Sequence, residues 1–328
     1  MGRTMRVRTL AAGCLLVLAA CGTPPPPPGD SKEGAAEEPA APAVSAGLRS
    51  LNGTEIFVKR MGAGEPILVI HGGPVLDHGY LLPHLAPLAE RHELVFADQR
   101  VSGRSAAAVD PETLRLATLV DDIDALRRDL GHDEVHLMAH SWGGLLALRY
   151  ALDHPGALRS LILISPMSAS SELWRQEQQA QAEAADPADQ AARQEIIESD
   201  AFAAEDPEAI AALLRLAFAG QFHDRERVRE LELYVPADYM ARSRLFSNLM
   251  ADLADYDLHP RLAELEVPTL ILFGAEEAGA RLGGPEIDAA LPNSTLVLLE
   301  ASGHFPFIER REAVLARVEA FLEQVAGR

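Results

Sequence analysis

The run His136-Leu137-Met138-Ala139-His140-Ser141-Trp142-Gly143-Gly144 sets Ser141 between an apolar stretch and a helix start built from small residues. A serine so placed can act as a nucleophile only where the chain turns sharply from strand to helix and lifts its hydroxyl clear of the sheet edge. Ala139 and Gly143 flank it two residues to either side, where such a bend leaves little room for side chains. A serine hydroxyl is a weak nucleophile at its ordinary pKa, so it needs a base, and the base needs an orienting carboxylate. Those partners must come from elsewhere in the chain.

Working outward, short apolar runs recur and stop at polar motifs. Ile67-Leu68-Val69-Ile70 ends at His71-Gly72-Gly73-Pro74, and residues 94–97 end at Asp98. Residues 55–60, 135–139, 161–164, 269–273 and 295–299 read as further strands. Continuous apolar runs of this length fit strands buried on both faces of a parallel sheet. Residues 119–130, 145–152 and 313–325 have helical periodicity. Strands alternating with helices predict an α/β fold, a mostly parallel sheet with helices on both faces. Ligands of such sheets bind beyond the carboxyl ends of the strands. The motifs at Gly72-Gly73, Asp98-Gln99-Arg100, His140-Ser141, Gly274 onward and Gly303-His304 all fall there.

Between residues 166 and 262 the strand-like runs vanish. The segment is rich in Ala, Glu, Gln and Arg, with Pro187, Pro207 and Pro236 dividing it. It is expected to be a helical cap inserted into a core made of residues 48–165 and 263–328. Its acids outnumber its arginines. Most such acids belong to solvated helix faces, and one or two turned inward would attract a cationic substrate group; Glu195, Glu198 and Glu232 are the candidates.

His304 is the expected base. It follows the last strand, after Gly303 and two residues before Pro306, in what reads as a fixed loop. A lone histidine is more often structural, and the chain has 11; position singles this one out. His140 adjoins the serine but would point away from its hydroxyl at a sharp bend. The orienting acid should lie in the loop Gly274-Ala275-Glu276-Glu277, where either glutamate could serve and Glu277, third after the glycine, is preferred. The backbone N–H of Trp142 and of Gly73 would face the oxyanion, Gly73 being preferred over Pro74, which has no N–H.

Together these motifs resemble the α/β-hydrolase fold and, within it, the proline iminopeptidase family of serine peptidases. The family pattern His-Gly-Gly-Pro-Gly corresponds to His71-Gly72-Gly73-Pro74-Val75, and Asp-Gln-Arg-Gly-x-Gly-x-Ser to Asp98 through Ser105. Gly-x-Ser-Trp-Gly corresponds to Ala139-His140-Ser141-Trp142-Gly143, and the closing Gly-His to Gly303-His304. The family's acid is usually Asp where this chain has Glu277. Val75, Val101 and Ala139 replace family glycines. A β-branched residue does not easily adopt positive φ, so the two valines are expected to change the loops beside the site. The resemblance implies hydrolysis of a short peptide or amino-acid amide with a free N-terminus, through an acyl-enzyme. A carboxylesterase or lactonase of the same fold is the alternative, and a non-catalytic binding lipoprotein a third. An epoxide hydrolase or dehalogenase is disfavoured, because those relatives carry Asp where Ser141 stands.

At the N-terminus, Arg3, Arg6 and Arg8 precede an apolar run ending in Leu18-Ala19-Ala20-Cys21. The layout is that of a secretory signal over residues 1–20. It resembles a bacterial lipoprotein box, which implies lipid on Cys21 and attachment to a membrane. Gly22 after it weakly favours the outer membrane, facing the periplasm, in a Gram-negative host. Residues 21–47, with five successive prolines at 24–28, are expected to be an extended, unfolded spacer. Cys14 and Cys21 are the only cysteines, so no disulfide or thiolate metal site is expected in the folded part. The formal charge of −20 argues against nucleic-acid binding. No metal cluster, phosphate loop or dinucleotide fingerprint is evident, so no cofactor is expected, and the oligomeric state is left open.

Overall fold

The structure is a computed structural model that describes residues 44–327. The expected leader, Cys21 and the spacer up to residue 43 lie outside the described residues.

Eight strands form one sheet. They are β1 (Val44–Leu51), β2 (Thr54–Gly62), β3 (Pro66–Ile70), β4 (Glu93–Ala97), β5 (Val135–His140), β6 (Leu158–Ile164), β7 (Thr269–Gly274) and β8 (Ser294–Leu299), in the order β1-β2-β4-β3-β5-β6-β7-β8. β2 runs antiparallel to both β1 and β4, and the remaining neighbours are parallel. β1 is a correction to the expected boundaries. The expected spacer takes in Val44–Gly47, yet these residues pair with Val58–Met61. The reason is local. Asn52 and Gly53, at φ +44° and +76°, make a two-residue turn whose twist suits a hairpin, and the ladder then carries the edge strand back to Val44. An exposed edge strand needs few apolar side chains, so its composition did not stand out.

Successive residues of the buried strands point to opposite faces. Leu68 and Ile70 of β3 join a core with Leu119, Ile123, Leu145 and Leu148 from helices Leu116–Asp129 and Trp142–Asp153. Ile67 and Val69 join a second core with Leu85, Leu88 and the Val314-Val318-Leu322 stripe of helix Arg311–Ala326. That stripe repeats every four residues, and each side chain buried there contributes roughly 1.5–3 kcal/mol. Covering both faces is what allows the strands to be apolar throughout.

The chain between β6 and β7 is helical, with its longer helices at Ser171–Glu183, Pro187–Ile197, Pro207–Ala219 and Tyr239–Phe246. Pro187 and Pro207 open helices instead of breaking them. Asp186 and Asp206 precede them and accept backbone N–H groups of the first turn. Because β3, β5, β6, β7 and β8 are consecutive in the sheet, their carboxyl-end loops line one edge in that order.

Candidate active site

Ser141 directly follows β5 and caps helix Trp142–Asp153 with φ +53° and ψ −121°. A non-glycine residue rarely adopts this backbone, and here it turns the hydroxyl away from both strand and helix. The bend is possible because Gly143 lies against the end of β3. A methyl group there would stand 2.6 Å from the His71 carbonyl oxygen. Likewise a Cβ on Gly72 would meet the Ser141 Cβ at 2.8 Å, so the loop after β3 can approach the serine only as glycine.

The loops after β7 and β8 bring the other two residues to it. His304 Nε2 lies 2.9 Å from the Ser141 Oγ, and His304 Nδ1 lies 2.7 Å from the Glu277 Oε2. Glu277 Oε1 accepts from the Ser165 hydroxyl at 2.5 Å and from the Gly274 N–H at 3.1 Å. With the carboxylate on Nδ1–H, the imidazole presents an unprotonated Nε2 to the serine, which can take the hydroxyl proton. Glu276, the other option for the acid, points elsewhere and pairs with His223 at 2.7 Å, both half exposed. The N–H groups of Trp142 and Gly73 donate no backbone hydrogen bond among the described residues, and Gly73 takes φ +60°. Such groups can receive negative charge developing on a carbonyl oxygen.

Further side chains hold this arrangement. The Tyr80 hydroxyl accepts the Gly72 N–H at 2.7 Å and meets His140 Nδ1 at 2.8 Å. His140 Nε2 lies 3.0 Å from the His304 carbonyl oxygen, which can only accept, so Nε2 carries the proton and Tyr80 donates to Nδ1. Full burial and the nearby His304 ring hold the His140 pKa well below its ordinary range, so the ring is neutral. On the other side, His71 Nε2 accepts the Gln99 N–H at 3.0 Å, while the Gln99 amide donates to the His71 carbonyl and accepts from Trp142 Nε1 at 2.9 Å. Glu309 Oε2 accepts the Gly303 N–H at 2.7 Å, and its Oε1 accepts the Asp224 N–H at 2.9 Å. Phe222 stacks on Phe305 with centroids 4.5 Å apart, and Gln221 accepts the His304 N–H at 2.8 Å. The helical segment thus rests directly on the His304 loop. Gln99 belongs to a motif visible in the sequence; Tyr80, Ser165 and Glu309 carry no local signal.

Glu195, Glu198 and Glu232 are exposed and make no described hydrogen bond with Ser141, His304 or Glu277. The two valines do not remodel their loops as expected. Val75 and Val101 take φ of +68° and +62°, values suited to glycine, and bury their side chains in the core. Burial offsets the strain of a β-branched residue in that region. Asp77, His78 and Asp98 are the described group closest to a metal-binding arrangement. Protein donors already engage it. His78 Nδ1 lies 2.6 Å from the Asp98 Oδ1, and Arg104 pairs with Asp77 and gives its N–H to Asp98 Oδ2 at 2.8 Å.

Residues 65–311 match the family model described as alpha/beta hydrolase fold. The chain is 30% identical over 274 residues to a proline iminopeptidase of Heyndrickxia coagulans, covering 80% of this chain and 92% of that protein. It is 33% identical over 268 residues to one from Levilactobacillus brevis, covering 78% and 88%. Among solved structures, the proline iminopeptidase of Mycobacterium smegmatis superposes with a TM-score of 0.65 at 22% identity, over 86% of this chain and 98% of the other, a likeness of fold.

Proposed function

The chain belongs to the α/β-hydrolase family, on the branch that holds the proline iminopeptidases, and on that premise we propose that it is a serine aminopeptidase with Ser141 as nucleophile. The observation that carries the proposal is the unbroken line Ser141 Oγ, His304 and Glu277, at 2.9 and 2.7 Å.

In this mechanism Ser141 attacks the carbonyl carbon of an amide as His304 Nε2 takes the hydroxyl proton. The Trp142 and Gly73 N–H groups receive the oxyanion. The tetrahedral intermediate collapses as the imidazolium protonates the departing amine, leaving an acyl ester on Ser141. Water, activated by His304, attacks that ester, and the acid product leaves with the serine restored. Glu277 balances the imidazolium and holds its tautomer; it does not itself take the proton. The preferred substrate is a short peptide or amino-acid amide with a free N-terminus.

A carboxylesterase reading keeps the same residues. It is favoured by the exposure of the cap acids Glu195, Glu198 and Glu232, none of which makes a described hydrogen bond with Ser141, His304 or Glu277. Hydrolysis of aminoacyl-naphthylamides beside p-nitrophenyl esters separates the two, and turnover of esters alone would remove the aminopeptidase. Labelling by a fluorophosphonate probe, lost in Ser141→Ala, tests the nucleophile. We further propose that lipid on Cys21 anchors the enzyme to a bacterial membrane, supported by the Leu18-Ala19-Ala20-Cys21 box. Mass spectrometry of the N-terminal peptide, and release of Cys21→Ser into the soluble fraction, test that anchor.

A further inference from the structure

We infer that Ser165 is a positioning residue for the reaction, acting through Glu277; this rests on the serine-hydrolase proposal above. A glutamate side chain has one more rotatable bond than an aspartate, so a carboxylate bonded to the imidazole through one oxygen alone can swing about that contact. In this chain the second oxygen is tied down. Glu277 Oε1 receives the Ser165 hydroxyl at 2.5 Å and the Gly274 N–H at 3.1 Å, while Oε2 faces His304 Nδ1 at 2.7 Å. A hydroxyl donating to a carboxylate at this separation is a charge-assisted bond, stronger than a neutral one.

Ser165 is itself held from several sides. It is the first residue after β6, its N–H is bonded to the Leu272 carbonyl of β7 at 2.7 Å, and it is fully buried. Its φ of +43° lies where side chains are unfavourable, a strain that the surrounding contacts must maintain. That backbone turns the hydroxyl across to the neighbouring β7 loop, where Glu277 lies. The Ser165 proton stays on its oxygen throughout. Its effect is to keep Oε2 aimed at Nδ1 when His304 becomes positive, a demand that arises in the transition state and not on substrate binding.

The test is a double-mutant cycle read by fluorophosphonate labelling of Ser141 and by steady-state turnover. Ser165→Gly removes the hydroxyl and relieves the positive φ; Ser165→Ala removes the hydroxyl and keeps the strain. Both are expected to slow labelling roughly tenfold and to lower kcat with KM unchanged, from loss of one hydrogen bond to a charged group. Glu277→Asp withdraws the carboxylate by one methylene, so it can no longer span Ser165 and His304. Adding Ser165→Ala to it should then change the labelling rate by less than about twofold. Wild-type rates in both single Ser165 variants, or an equal loss in both backgrounds, would overturn the inference while leaving the hydrolase proposal intact. A wild-type protein that does not label at all would sink the hydrolase proposal and this one with it.

Discussion

His140 Nε2 donates to the backbone carbonyl of His304 at 3.0 Å, with the two rings 4.9 Å apart. The residue before the proposed nucleophile thus holds the loop of the proposed base. Through Tyr80 the same imidazole reaches the Gly72 N–H, so the loops after β3 and β8 and the last residue of β5 share one hydrogen-bonded line. Tyr80→Phe leaves the packing intact but removes the acceptor of Gly72 and the donor to His140. It should cost about 1–3 kcal/mol of stability, the penalty for a buried polar group left unpaired. It should also lower kcat/KM, because both the Gly72-Gly73 loop and the His304 loop lose a tether. Equilibrium denaturation and turnover on one sample check both.

The buried histidines make stability depend on pH. Burial lowers the pKa of His71, His84, His136 and His140 below the ordinary 6.5. The unfolded chain therefore binds protons near pH 6.5 that the folded chain refuses. The stabilisation is fully present above that pH and is lost as pH falls below it. Asp77, Asp122 and Glu177, whose burial raises their pKa, oppose the trend from the carboxylate side. The melting temperature should drop from pH 7.5 to 5.5, and drop less in His140→Gln. Equal melting temperatures at both pH values would contradict this account.

Glu276 and Glu277 stand side by side in sequence but meet different histidines. Glu277→Gln should reduce kcat by a factor on the order of 10³ or more, since an amide no longer compensates the imidazolium. Glu276→Gln should leave kcat nearly unchanged, because an exposed pair with His223 contributes little. Comparable losses in the two variants would reassign the acid.

Glu309 gives one carboxylate oxygen to Gly303 and the other to Asp224, joining the His304 loop to the helical segment. A glutamine keeps one acceptor and must present its NH₂ to one of those N–H donors. Glu309→Gln is expected to destabilise the protein by about 1–3 kcal/mol, and to speed proteolysis near residue 224. Limited proteolysis followed by mass spectrometry reads the second effect.

Val101 occupies a φ of +62° with its side chain fully buried. Ala at 101 would lose the packing and keep a Cβ in the unfavourable region. Gly at 101 would lose slightly more surface but escape a strain of about 1–2 kcal/mol. The glycine variant should therefore melt above the alanine variant, reversing the usual order, and thermal denaturation of the pair decides it.

Much of this was legible in the order of residues. Short apolar runs ending in His71-Gly72-Gly73, Ser141, Gly274 and Gly303-His304 mark strands and the loops that follow them, because a strand buried on both faces must be apolar and its ends must not be. The hairpin that begins at Val44 is signalled only by Asn52-Gly53, because an edge strand has little apolar patterning. The backbone at Val75 and Val101 also went against local preference, since core burial outweighed the φ penalty.

The chain by itself determined the strands from β2 to β8, the sharp bend at Ser141 and the residue types able to perform acyl transfer, all of which follow from short-range pattern and sterics. Only the tertiary structure decided which glutamate faces His304, and that Ser165, Tyr80, His140 and Glu309 hold the site in register. Those contacts join residues as far as 164 positions apart. A hydrogen bond depends on tenths of an ångström and on direction, and neither is encoded locally; both are set when the packed strands bring their loops to one edge.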